Sequence, residues 1–242
     1  MNMKRFSFPL LVLVWALVGV SCKKNSPVKP NAGPLGSNYP AALNAIVTPA
    51  MIATLESAGA NIYDGLTPPV INGIYLFSPN YCTFDNSGYN LGGQLFSDFK
   101  FQFSNQDNNT STVTVNFKDI DNPNYVWSDA ASTATYISGN SGSFTVFSEN
   151  TGVEQGVSTV TLSIVSGILL SDGDIQNLQW TQYWVSKGAD PNNVVVPVGT
   201  TRIFEDWDGL SSLQATFSLP TSTIQSIGTA HDKTMMSVGQ SH

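Results

Sequence analysis

Glu205, Asp206 and Asp208, in "FEDWDGLS", are the densest group of side chains in this sequence that could do chemistry. Paired carboxylates hydrolyse glycosidic bonds when they face each other across a cleft. Glu205 or Asp206 would need a second acid opposite, such as Asp98 or Glu149. "DWDG" also alternates oxygen ligands ahead of a glycine that permits a sharp turn, so Asp206 and Asp208 could hold calcium. No glutamate closes a twelve-residue loop after them, and the alternative is a plain acidic turn ending a strand. Both histidines, His231 and His242, fall in a polar C-terminal stretch without a core pattern. A Ser-His-Asp or Cys-His arrangement therefore has no base inside the domain, and a His/Cys zinc site has no ligands there. The expectation is a binding protein without a cofactor, not an enzyme.

Aromatic residues are the other candidate set. Trp180 and Trp184 fall on one face of a single strand-like segment. Exposed, they would stack sugar rings; buried, they would line an interior, with Tyr136 or Trp180 orienting a ligand at its mouth.

The two cysteines separate by context. Residues 1–21 carry Lys4 and Arg5, then an apolar run over 10–20, then small residues leading to Cys22. These are the parts of a secretory signal, and the run is shorter than the ~20 residues that cross a bilayer. A cysteine directly after such a site resembles the lipobox of bacterial lipoproteins, with Gly19 where the usual pattern has Leu. The resemblance implies that Cys22 is acylated and becomes the mature N-terminus, anchored in the outer membrane and facing the periplasm or the cell surface. The alternative is an ordinary secretory signal with a chance cysteine. Acylation would leave Cys82 without a disulfide partner, as a buried apolar residue or a reactive thiol.

Once the leader is removed, eight basic residues face seventeen acidic ones, a net charge of −9. Such a surface is a poor match for nucleic acid. Charged residues make up only 11% of the chain, while Ser, Thr, Asn and Gly abound, as in an extracytoplasmic β protein.

The elements that must position these residues follow from pattern. Residues 22–40 read as the lipidated cysteine and a Pro/Gly-rich tether. Within 41–66, "TPAMIATLESAG" predicts one short helix: Thr48 as N-cap, Pro49 at the first turn, Gly59 as stop, and Ile52 with Leu55 on one face. From 67 to 220 the period is two. In "LFSDFKFQFS", Leu95, Phe99, Phe101 and Phe103 oppose Asp98, Lys100, Gln102 and Ser104, and in "TVTVNFKD" Val113, Val115 and Phe117 share a face. Strands are predicted near 70–78, 95–104, 112–119, 132–138, 143–148, 157–169, 175–186 and 194–205, separated by turn-rich segments. Residues 221–242 form a tail with no core-forming pattern.

Eight strands joined mostly by short loops predict an all-β domain, an antiparallel barrel or else a β-sandwich. "INGIYLF" and "TTRIFED" resemble the first and last strands of calycin barrels such as lipocalins, which carry Gly-x-Trp on the first strand and an Arg near the last. Here Gly73 is followed by Tyr75, and Arg202 is the one arginine outside the leader. The resemblance implies that the first strand pairs with the last, that Arg202 lies across Tyr75, and that the barrel takes a small apolar or amphipathic ligand. The runner-up function is a surface glycan-binding module of a sugar uptake system, and the third a carboxylate-dependent hydrolase.

Overall fold

The computed structural model describes residues 35–120, 126–128 and 132–217, all within the second of the chain's two units, Asn31–His242. The leader, Cys22, most of the tether and the C-terminal tail with both histidines lie outside the described residues. A short 3-10 turn, Ala41–Ala45, precedes helix α1, Pro49–Ala58. Strands follow in chain order: β1 Leu66–Thr67, β2 Gly73–Phe77, β3 Asn80–Asp85, β4 Phe99–Asp107, β5 Thr112–Asp119 and β6 Val126–Ser128. Then come β7 Ser132–Asn140, β8 Ser143–Glu154, β9 Val157–Leu169, β10 Ile175–Lys187, β11 Thr201–Asp206 and β12 Leu210–Ser211.

Nine of these strands form a nearly closed antiparallel barrel in the order β2-β4-β5-β7-β8-β9-β10-β11-β3. The sandwich alternative is thereby set aside, because the ladder runs unbroken through one sheet. All eight expected strands are present, although the last begins at Thr201 rather than near 194. The ninth, β3, was not expected. Its sequence, "NYCTFD", starts just after Pro79, which reads as a break, and has no run of large apolar residues.

Closure differs from the calycin expectation. The last long strand, β11, pairs with β3 and not with β2. The free edge of β3 is covered by residues 93–96, where Cys82 N–H donates to the Gln94 carbonyl and Phe96 N–H to that of Asn80. The free edge of β2 is covered by residues 212–214, where Leu76 N–H donates to the Ser212 carbonyl and Gln214 N–H to that of Ile74. Since β12 also pairs with the start of β10, this segment ties β10 to β2. Both seams are thus sealed by short irregular chain, which satisfies strand-edge groups that would otherwise be open to pairing with other chains. Leu95, expected among the inward phenylalanines, lies in one of these sealing segments and is exposed.

Alternation sorts side chains to two sides of the wall. Inside lie Tyr75, Phe77, Phe99, Phe101, Phe103, Val113, Val115, Phe117, Phe144, Trp180 and Phe204. Outside, Phe147, Leu162, Ile164 and Ile203 make a second core with Ile52 and Leu55 of α1. The helix forms where the sequence places it: Thr48 Oγ1 accepts from Met51 N–H at 3.2 Å, Pro49 opens the first turn, and Gly59 ends it at φ 105°. Only a residue without Cβ enters that left-handed conformation without strain.

Candidate functional site: a polar layer inside the barrel

Cross-strand register stacks the barrel interior in layers. One layer runs Ile137, Val146, Val165, Trp180, Phe204 and Cys82, each opposite the next on neighbouring strands. It is apolar throughout. Trp180 sits among Phe99, Phe117 and Phe204, each at 5.3 Å between ring centroids, and Phe101 at 5.8 Å. Two residues along β7 to β11, and three along β3 where a bulge shifts the register, the next layer runs Thr135, Ser148, Ser163, Gln182, Arg202 and Asp85. Every member is polar. Beyond it come Asn150, Thr161 and Trp184.

Buried polar groups need partners, so this layer is informative through which partners it has. Trp180 Nε1 donates to Ser163 Oγ at 2.9 Å, and Thr135 Oγ1 to Ser148 Oγ at 3.3 Å. Arg202 Nε donates to Asp85 Oδ1 at 3.1 Å, and its guanidinium lies over the Trp184 ring at 5.2 Å. Asp85 also accepts from Ser87 Oγ, Ser87 N–H and Leu91 N–H. Burial alone would raise the Asp85 pKa, but these hydrogen bonds and the arginine outweigh it and hold the carboxyl below its usual range. Two acceptors in this region, Gln182 Oε1 and Asn150 Oδ1, are buried without a partner. The terminal nitrogens of Arg202 make no hydrogen bond among the described residues. Beside them Val157, Trp184, Val195 and Val196 form a small apolar cluster.

The expected site residues are distributed unevenly over this architecture. Trp180 and Trp184 are both inside, at 2% and 5% exposure, so they form no exposed row. Tyr136 is on the outer side, packed with the cluster under α1, and so is not at a mouth. Arg202 finds its aromatic partner in Trp184. Tyr75 sits in the phenylalanine core, opposite Phe101 and beside Leu213, so the Tyr75–Arg202 contact is not made. The reason is the inserted strand β3, which stands between β2 and β11. Asp208 is exposed and closes its own turn, its Oδ1 accepting from Leu210 N–H, as an acidic turn at a strand end should. Asp206 is buried; desolvation first, with the Asp208 charge adding to it against a hydrogen bond from Ser211, pushes its pKa up to about 7. Ser78 bridges Asp206 and Asp98, donating through N–H to the first at 3.4 Å and through Oγ to the second at 2.6 Å. Cys82 is a free, buried thiol whose pKa is pushed up to about 11, chiefly by burial.

Sequence reading missed the polar layer. Its signal was there: inward positions change from apolar to Ser, Gln and Arg midway along β8, β9, β10 and β11. Recognising it needed the register across six strands.

No family model matches the chain, and neither does any curated protein or solved structure. Among the described residues no helix is long and apolar enough to cross a membrane, which says nothing of spanning by strands.

Proposed function

We propose that this chain is an outer-membrane lipoprotein, anchored through acylated Cys22, that binds a small amphipathic molecule at the polar layer of its barrel without transforming it. The observation carrying this reading is the pair of orphaned acceptors, Gln182 Oε1 directly opposite Arg202 and Asn150 Oδ1 one layer beyond, together with an arginine that hydrogen-bonds through only one of its nitrogens among the described residues. A buried unpaired polar group costs about 1–3 kcal/mol, which a ligand supplying donors would recover. An anionic or carbonyl oxygen on the same ligand suits the remaining guanidinium nitrogens. The valine cluster around Trp184 suits its apolar part. A wholly apolar guest is a poorer match, since the aromatic half of the interior is occupied by rings in mutual contact. The test is titration of the full-length protein, in detergent, with a fluorescent fatty-acid analogue that carries an amide N–H beside its carboxylate, so that it offers both a donor and an anion. Quenched tryptophan emission and a raised unfolding temperature are expected, both weakened at least tenfold in concentration dependence by Gln182→Leu; no response in either overturns the reading.

A second reading, a surface glycan-binding module, is favoured by Trp207. It is 62% exposed and lies 4.2 Å from the Tyr81 ring, with exposed Leu95 on the chain paired to Tyr81. Such a platform suits a sugar face. Glycan-array binding that is lost in Trp207→Ala, with no fatty-acid response, would put this reading first.

A further inference from the structure

At the other end of β11, the barrel contains a second set of polar groups whose partners do not balance. Asn80 and Asp206 stand directly opposite each other on β3 and β11, and both are buried, at 1% and 4% exposure. Asn80 Nδ2 donates to the Ser97 carbonyl at 2.8 Å, which orients the amide and fixes Oδ1 as the atom left over. Asp206 Oδ2 accepts from Ser211 Oγ at 2.5 Å and from Ser78 N–H at 3.4 Å. That leaves Asn80 Oδ1 and Asp206 Oδ1, two buried oxygens on facing positions, with no donor for either. Ser78 links this pair to Asp98, whose Oδ2 accepts from Ser78 Oγ at 2.6 Å. Asp206 enters no ion pair among the described residues.

From this arrangement we infer that Asn80 and Asp206 form the core of a binding site for a hard divalent cation, with calcium the best match. The donor set is oxygen only: an amide carbonyl and a carboxylate, with serine hydroxyls at its edge. Oxygen ligands of this kind select calcium over the softer metals that prefer nitrogen and sulfur. A cation satisfies both orphaned lone pairs at once and supplies the charge that a desolvated carboxylate lacks. The site would pin β3 to β11 at the end of the barrel where residues 212–214 seal the wall, so its effect falls on closure and not on the polar layer.

The full-length protein, stripped with a chelator in detergent at neutral pH, is titrated with calcium chloride and, separately, with terbium chloride. Calcium is expected to raise the unfolding temperature by about 5 °C at saturation. Bound terbium is expected to emit several-fold more strongly under indole excitation, because Trp207 adjoins Asp206 in the chain. Asp206→Asn, nearly isosteric, should abolish both responses. Trp207→Phe should weaken the terbium signal, with Trp180 on Phe204 left as an indole donor, while leaving the calcium-dependent rise in place, which keeps the test decisive if Asp206→Asn fails to fold. Absence of both responses in the wild type, or a response undiminished in a folded Asp206→Asn protein, overturns the site.

Discussion

Arg202 and Asp85 meet across β11 and β3 with side chains almost wholly removed from water, so the pair is costly to break. Arg202→Ala would leave the Asp85 carboxylate buried with only its serine and backbone donors, and is expected to destabilise the protein by about 3–5 kcal/mol in denaturant unfolding. The acid dependence has a definite sign. The Asp85 pKa is depressed in the folded state, so its contribution is fully present above the ordinary carboxyl value of 3.8 and is lost as pH falls through the lower folded value. The unfolding temperature of wild type should therefore fall more steeply than that of Asp85→Asn between about pH 5 and about pH 2. Cys82 makes the opposite point about burial. Its thiol is raised to about 11 and enclosed beside Phe204, so it should be inert to disulfide reagents in the native protein and react promptly in denaturant.

Among the elements, α1 shows how little helix propensity needs to contribute when an outer face is available. It is ten residues long, too short to persist alone, and is held by Ile52 and Leu55 packed on Phe147, Leu162, Ile164 and Ile203. Leu55→Ala is expected to cost about 2–5 kcal/mol, against about 1 kcal/mol for removing the cap in Thr48→Ala. Chemical denaturation of the two variants measures the ratio. Strand β1 pairs with the end of β7 at two positions, Leu66 with Gly139 and Thr67 with Asn140. It runs parallel to β7 at Gly139, where an added Cβ would lie 2.2 Å from the Ser143 carbonyl oxygen and φ is 152°. Gly139→Ala should accordingly distort the β7–β8 hairpin and lower the unfolding temperature markedly, read by thermal circular dichroism.

For the whole molecule, integrity depends on the segments that seal the wall. Truncation after Gly209 would remove Ser212 and Gln214 from the edge of β2 and β12 from β10, leaving two strand edges open. The truncated protein should unfold at much lower temperature and associate through those edges, as size-exclusion chromatography would register. Attachment to the bilayer is tested separately: Cys22→Ala should move the protein from the detergent fraction to the soluble periplasm if the lipobox reading holds.

By itself the sequence determined what depends on neighbours in the chain. Period-two alternation marks Phe99, Phe101 and Phe103 as one face, and Thr48, Pro49 and Gly59 bound a helix, because these signals arise within a few residues of backbone geometry. The inward phenylalanine core and eight of the nine barrel strands were legible for the same reason. Register was not. Whether Arg202 would stack on Tyr75 or Trp184 depended on an extra strand, β3, whose pairing with β11 spans more than a hundred residues of chain and leaves no local mark. The polar layer and the facing oxygens of Asn80 and Asp206 have the same origin: each is made by residues from separate strands, brought level only when the sheet curls round and fixes which residue stands opposite which.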